Sequence, residues 1–322
     1  DRFDFVLANL EGPIVSECGA RKKFGPSLAN SHSAIDSVST FLQAVSLANN
    51  HMMDYGQCGL SQTISALRAN GVQYAGAGAD ICEAELPLRI ERHGQKLSII
   101  FRAENEGTIA TLTKSGVASI NLNRDKEIVS NEIKQGYRVM LFAHGGTENN
   151  PYPNPFLIKT SRCYSEMGVS AVIWAHTHCI SSVNVISGCP IFYGLGNFAF
   201  DTDPSPKSVL GMNFLFRRFI QGITGANQFI RWSQQQSNIG LIAEIIFSNL
   251  GVKHDFSFTI RDYNGIRLLS SEEMAGMRVY FNFLKCKSHS FSDWRAFLVY
   301  SNRWMTRLGR KKYGVLGQKL QT

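Results

Sequence analysis

Short apolar runs alternate along the chain with polar segments that have helical periodicity. Residues 169–175 form a β-branched apolar run, short enough for one buried strand of a parallel sheet. Residues 56–70 place Leu60, Ile64 and Leu67 on one face of an amphipathic helix. The same reasoning predicts, in chain order, a strand at 3–8, a helix at 33–43, strands at 45–48 and 72–75, a hairpin at 86–100, a helix at 124–135, a strand at 137–143 and a helix at 156–167. Strands that alternate with helices in this way are typical of a layered α/β domain.

The pattern changes after residue 201. Residues 239–260 contain β-type runs that indicate a further hairpin, and residues 270–305 have a helical pattern. We therefore predict one α/β domain at residues 1–268, followed by a helical and basic C-terminal extension at residues 269–322.

Polar groups follow five of the strand-like runs directly. An isolated pair of histidines in a loop beside a strand is more often a polar loop than a metal site, so the prediction depends on repetition of the pattern. The five polar ends are Asn9-Leu10-Glu11, Asn49-Asn50-His51, His144-Gly145-Gly146, His176-Thr177-His178 and Gly194-Leu195-Gly196-Asn197. Because open α/β sheets bind ligands at the carboxyl ends of their strands, these ends predict one site on the carboxyl edge of one sheet.

The predicted site has a mixed nitrogen and oxygen donor set. Its candidate metal ligands are the carboxylate of Glu11, the amide of Asn50 and the imidazoles of His144, His176 and His178. The absence of a thiolate from this set excludes a structural zinc finger, and the set suits Zn, Mn or Fe. Five ligands exceed what one tetrahedral ion needs, so we predict two divalent metal ions. Phosphate ester hydrolysis is the usual chemistry of such a pair.

A candidate acid follows one of the ligands. His51 is adjacent to Asn50 and is predicted to protonate the leaving oxygen, with Asp54 orienting its ring. The alternative is a strand-to-helix turn in which Asn49 or Asn50, together with Asp54, caps the following helix. The two interpretations are compatible, and the other polar strand ends favour the catalytic one.

Four further polar residues are predicted to support the site or to contact substrate. Asn9 and Asn49 precede two of the ligands, and Asn197 is interpreted as a structural support. Glu148 either supports the site or lies in solvent. The motif that contains Asn9 and Glu11 has an exposed turn as its alternative. His32 and His93 have no such context and are interpreted as surface residues.

Charge favours anionic partners. The net charge is +8, the pI is near 9.1, and the 44% hydrophobic and 18% charged composition is that of a globular chain. Six basic and no acidic residues lie between Arg303 and Lys319, so part of the charge belongs to a basic tail. We predict an anionic polymer or a phosphorylated substrate as partner. A membrane surface contacted by Trp304, Met305 and Leu308 is an alternative, and nucleic acid is the least favoured partner.

Cysteine usage indicates a reduced chain. There are seven cysteines and no C-x-x-C pair, and an odd count fits a cytoplasmic face better than a disulfide scaffold. No apolar run approaches the roughly 18–20 residues that span a bilayer. The sequence begins without Met, immediately before a predicted strand, so we interpret it as a fragment that lacks its natural start and any N-terminal anchor. The predicted location is therefore cytoplasmic or membrane-associated.

Taken together, these motifs resemble the CapA family of poly-γ-glutamate capsule synthesis proteins, within the calcineurin-like metallophosphoesterase superfamily. The stretches that carry the resemblance are Asn9-Leu10-Glu11, Ala48-Asn49-Asn50-His51 with Asp54, Gly76-Ala77-Gly78, His144-Gly145-Gly146 with Glu148, His176-Thr177-His178, and Tyr193-Gly194-Leu195-Gly196-Asn197-Phe198 with Asp201. The resemblance implies a four-layer αββα sandwich of the metallo-dependent phosphatase type, followed here by the hairpin and the basic tail. It also implies a dinuclear metal site between two mixed sheets.

The resemblance assigns roles as well. It implies that Glu11, Asn50, His144, His176 and His178 are the ligands. It implies that His51 is the proton donor. The family begins with a strand that ends in Gly-Asp, whose Asp is a ligand, and no such segment precedes residue 1.

The implied function is a metal-dependent hydrolase in capsule or surface-polymer synthesis. The alternative is a non-catalytic accessory subunit of a polymer synthase complex that holds an anionic chain in the same cleft.

Overall fold

The computed structural model describes residues 3–23, 25–199, 239–262, 265–270, 273 and 277. Its helices are α1 His32–Val38, α2 Gly56–Ala69, α3 Ile81–Ala84, α4 Leu122–Lys134 and α5 Pro155–Glu166. Its strands are β1 Leu7–Asn9, β2 Ala44–Ser46, β3 Gln73–Ala75, β4 Ala77–Gly78, β5 Leu88–Arg92, β6 Gln95–Ala103, β7 Gly116–Val117, β8 Arg138–His144, β9 Ala171–Ala175, β10 Val183–Ile186, β11 Cys189–Phe192, β12 Ile239–Ser248, β13 Gly251–Asp262 and β14 Gly265–Leu268.

Two sheets form the centre of the fold. The larger has six strands in the order β10-β11-β9-β8-β6-β5, and its four inner strands are parallel. The smaller consists of β1, β2 and β3, all parallel. Strands β8 and β9 are continuous apolar runs because a strand inside a parallel sheet is covered on both faces.

The core lies on both faces of the larger sheet. On one face, α4 and α5 cover an apolar cluster that includes Leu141, Trp174 and Tyr164. On the other face, Phe142 and Ile173 belong to the same core as residues of the smaller sheet and of α1 and α2. The predicted α/β class, with two sheets and packed helices, is therefore confirmed.

The prediction that all five polar ends share one sheet is wrong. Strands β1 and β2 belong to the smaller sheet, whereas β8, β9 and β11 belong to the larger. The apolar pattern of a strand indicates that the strand is buried, but it does not indicate which sheet the strand joins. The five ends nevertheless meet, because the two sheets pack against each other with these strand ends on the same side.

Several predicted elements are confirmed within a few residues. Helix α2 ends one residue before the predicted limit, and the predicted hairpin at 86–100 is β5 and β6, which turn at His93 and Gly94 with positive φ. The hairpin predicted at 239–260 is β12 and β13. The first strand is shorter than predicted and starts at Leu7.

The C-terminal predictions lie mostly outside the described residues. The predicted helix at 270–305 is described only at residues 270, 273 and 277, and the basic tail is not described. The division between residues 1–268 and 269–322 therefore stays a prediction.

The predicted reduced state is wrong for one pair of cysteines. Cys18, in the loop after β1, forms a disulfide with Cys58 in the first turn of α2. The pairing was hidden because the two residues are 40 positions apart and meet only when the loop folds back over α2. Disulfides are typical of oxidising compartments, so the cysteine count no longer favours a cytoplasmic location. Within the described ranges, no helix is both long enough and apolar enough to cross a bilayer.

Candidate metal centre

Loops from both sheets place the predicted ligands in one cluster. Glu11 follows β1 and Asn50 follows β2, both from the smaller sheet. His144 ends β8, and His176 and His178 follow β9, both from the larger sheet. These residues are up to 167 positions apart in sequence and meet where the two sets of strand ends face each other.

Close contacts between donor atoms define the cluster. His144 Nε2 lies 3.0 Å from Asn50 Oδ1 and 3.1 Å from His176 Nδ1. Donor atoms of Glu11, His144 and His176 all lie within 4.8 Å of one another. His178 joins the cluster through its Nε2, which lies 3.6 Å from Glu11 Oε1. All five predicted ligands are therefore brought together.

The orientation of His178 is set by Asn197. His178 Nδ1 lies 2.9 Å from Asn197 Oδ1, and an amide oxygen can only accept a hydrogen bond. Nδ1 therefore carries the proton, and the lone pair of Nε2 faces Glu11. The supporting role of Asn197 stays a prediction, and this contact is the observation that favours it.

Burial keeps two imidazoles neutral. Burial, followed by the nearby imidazoles, lowers the pKa of His144 well below its ordinary value. The same causes lower the pKa of His176 to about 4. Metal ligation requires the neutral imidazole, so both rings are in the state that binds an ion at neutral pH.

Two buried atoms of the clustered residues have no hydrogen-bond partner. Within the described part of the chain, Glu11 Oε1 and His144 Nδ1 are buried and make no hydrogen bond. Burial raises the pKa of the Glu11 carboxyl, against the opposing effect of His178 and His51. Buried polar atoms are nearly always hydrogen-bonded in native proteins, so a buried Glu11 oxygen that makes no hydrogen bond and lies 3.6 Å from His178 Nε2 fits a bound cation.

His51 and Asp54 form a hydrogen-bonded pair beside this cluster. His51 Nδ1 lies 2.7 Å from Asp54 Oδ2, which also accepts from the backbone N–H of Leu28 at 2.8 Å. Burial opposes ionisation of Asp54, but the hydrogen bonds from His51, Lys23 and Leu28 hold its pKa below the usual range. The capping alternative is wrong, because Tyr55 is the N-cap of α2 and no side chain caps that helix.

Asn49 and Asn9 support the loops that carry the site. The Asn49 amide donates to the carbonyl of Leu10 at 2.8 Å and lies 3.5 Å from Asn9 Oδ1. Its oxygen accepts from the backbone N–H of His51 at 3.2 Å. Asn49 therefore connects the loop after β1 to the loop after β2.

Three charged residues of the site were not predicted from sequence. Glu104 Oε2 accepts from the backbone N–H of Gly146 at 2.9 Å, and Glu106 Oε2 lies 3.4 Å from His176 Nε2. The third is Lys23, which contacts Asp54. The two glutamates follow β6 as polar residues follow the other strands, but the predicted hairpin ended at residue 100, three residues too early.

Glu148 lies at the exposed rim of the site. Its charge raises the pKa values of both Glu11 and Glu106, which places it close to the ligand cluster. His176 and His178 adopt positive φ angles of 102° and 53°. Such backbone strain in residues other than glycine is concentrated at functional sites.

The metal-free chain is expected to lose stability as the pH falls from 6.5 to about 4. Between these values an unfolded chain protonates His176, whereas the folded chain does not. The contribution is roughly 3 kcal/mol of unfolding free energy. Urea unfolding of chelator-treated wild type and His176→Asn measures it, and the variant should decline less steeply. Parallel pH profiles would contradict the assignment.

Most of the chain matches a known bacterial protein family. Residues 1–202 match the family described as bacterial capsule synthesis protein PGA_cap. The chain belongs to this family. The match covers every predicted ligand together with His51, Asp54 and Asn197.

Two relatives of this PGA_cap chain come from Bacillus. It is 28% identical over 210 residues to the capsule biosynthesis protein CapA of Bacillus anthracis, covering 62% of this chain and 51% of the relative. It is 28% identical over 214 residues to the PGA biosynthesis protein CapA of Bacillus subtilis, covering 62% of this chain and 53% of that relative. The chain thus spans about half the length of these relatives. A hypothetical protein of Thermus thermophilus is structurally similar, with a TM-score of 0.46, 14% identity and coverage of 79% of this chain and 88% of that one.

Proposed function

We propose that this PGA_cap chain is a metal-dependent hydrolase of the phosphoesterase type that acts in the synthesis of a capsule or surface polymer. The observation that carries the proposal is the meeting of five N/O donors beside a partly buried His-Asp pair. Family membership supports the role in polymer synthesis, since both Bacillus relatives are named for it.

The donor set fits divalent cations such as Mn, Fe or Zn. Glu11, Asn50, His144, His176 and His178 would hold them, and the neutral imidazoles and the Glu11 oxygen that makes no hydrogen bond are among the donors. Divalent ions in such a site polarise a phosphoryl oxygen and lower the pKa of bound water. Five donors exceed the needs of one ion, and we propose two.

Side chains of this chain would donate the proton and hold the ligand rings in place. His51 Nδ1 is engaged by Asp54, so Nε2 is the ring nitrogen that donates a proton to the leaving oxygen. Asp54 is ionised and stabilises the protonated ring. Asn197 and Glu106 hold the rings of His178 and His176 through the nitrogens opposite those that face the cluster.

Metal content and turnover test this function together. The chain purified without chelator should contain a divalent metal and hydrolyse a generic phosphodiester such as bis-p-nitrophenyl phosphate. Chelation should abolish turnover, and Mn²⁺, Fe²⁺ or Zn²⁺ should restore it. His93→Ala is the matched control, since His93 is exposed and pairs only with Asp4 in the described structure. A chain that retains metal but turns over no phosphodiester would overturn the hydrolase proposal and favour the accessory role.

A further inference from the structure

A short basic segment lies beside the candidate site and has no part in the function proposed above. It consists of residues 21–23, Arg-Lys-Lys. The disulfide between Cys18 and Cys58 attaches the chain just before it to α2. The backbone N–H of Arg21 donates to the carbonyl of Asp54 at 2.7 Å. The basic segment is therefore fixed against the turn that carries the candidate proton donor.

The basic segment and His51 share one carboxylate. The Lys23 ammonium contacts Asp54 Oδ1 and lies 3.2 Å from His51 Nδ1. Asp54 is 2% exposed, so this ion pair is shielded on the carboxylate side. The position of the segment and the position of the His51 ring are consequently coupled through Asp54.

A second contact places the segment along the cleft. The Arg21 guanidinium donates through Nη1 to Thr108 Oγ1 at 2.5 Å. Thr108 follows Gly107, whose backbone lies so close to Asn50 that an added Cβ would stand 3.1 Å from the Asn50 Cα. The basic segment thus borders the side of the cleft formed by Asn50 and His51.

The positive charge of the segment is mostly uncompensated. Arg21 and Lys22 are exposed, and neither makes an ion pair with a carboxylate in the described ranges. Lys23 alone is paired, with Asp54. Two cations therefore remain available to an external anion, next to the residue that would protonate the leaving oxygen.

We propose that the basic segment binds an anionic group, carboxylate or phosphate, on the leaving-group side of the substrate. The inference rests on the proposed function, because His51 as proton donor defines the leaving-group side. Two adjacent cations select a substrate that carries negative charge beyond the bond that is cleaved. The disulfide and the Asp54 contacts hold these cations in place before the substrate arrives, which lowers the entropic cost of binding.

Charge reversal at Lys22 tests the proposal, since Lys22 has no ion pair or hydrogen bond in the described part of the chain. Binding of a fluorescent γ-linked glutamate oligomer to the Mn²⁺-loaded 322-residue chain is measured by anisotropy. We expect Lys22→Glu to weaken binding roughly tenfold and added salt to weaken wild-type binding. Lys126→Glu on α4 is the matched control, with the same charge change at an exposed position outside the basic segment. A neutral γ-linked oligomer whose α-carboxylates are converted to amides should not bind.

Competition identifies the anion. Inorganic phosphate that displaces the oligomer from wild type but not from Lys22→Glu would assign the segment to phosphate, whereas oligomer binding that phosphate leaves unchanged would assign it to carboxylates. Equal oligomer affinity in Lys22→Glu and Lys126→Glu would overturn the proposal. Because binding is measured apart from turnover, a chain inactive on phosphodiesters whose binding still depends on Lys22 would reject only the hydrolase function.

Discussion

Replacing His176 by alanine should remove bound metal and reduce phosphodiester hydrolysis to background. The His176 ring contributes Nδ1 to the cluster, 3.1 Å from His144 Nε2, and its ring centroid lies 4.7 Å from that of His144. Loss of residues that merely orient a ligand costs about 10–100-fold in metal affinity, so loss of a ligand should cost more than about a hundredfold. Metal content by mass spectrometry and metal titration of the apo-protein measure the effect.

A folding defect must be separated from loss of the ligand. His176 has a φ of 102°, a conformation that asparagine tolerates better than alanine, so His176→Asn is the second variant. Both variants should keep the circular dichroism spectrum of the wild type while they lose metal. Unchanged metal affinity in a folded His176→Asn protein would show that this imidazole is not a ligand.

Replacing His51 by alanine should lower turnover about 10²–10⁴-fold and leave the bound metal in place. His51 contacts Asp54 and Lys23, whereas the donor atoms that lie within 4.8 Å of one another belong to Glu11, His144 and His176. The proton donor can therefore be removed while the donor cluster is kept. The measurements are metal content and turnover of an alkyl phosphodiester, whose leaving oxygen needs a proton, on the same sample.

A leaving-group series makes the His51 test specific. A phenolate with a low pKa leaves without protonation. His51→Ala should therefore lower the turnover of a nitrophenyl ester less than the turnover of an alkyl ester. Asp54→Asn should show a smaller loss than His51→Ala, because it only alters the orientation and charge of the ring environment. If neither His51→Ala nor His176→Ala changes any measured activity, the hydrolase proposal fails.

Local sequence patterns predict the elements well where a periodic segment is long or a run is strongly apolar. Helix α2 and the strands β8 and β9 were found within a few residues, since amphipathic and buried segments show their burial directly in sequence. The hairpin of β5 and β6 was found from its turn, but its second strand was cut short. That error concealed Glu104 and Glu106.

The sequence by itself determined the α/β class, the order of most elements and the residue types available for a cation site. It did so because side-chain period and strand-end chemistry are local properties that can be read within a few residues. Only the tertiary structure decided that the ligands come from two sheets, that Cys18 pairs with Cys58 and that Lys23 reaches Asp54. Those contacts join residues tens of positions apart; Asn50 and His144, for example, are 94 positions apart in the sequence. No local periodicity encodes which distant segments pack together.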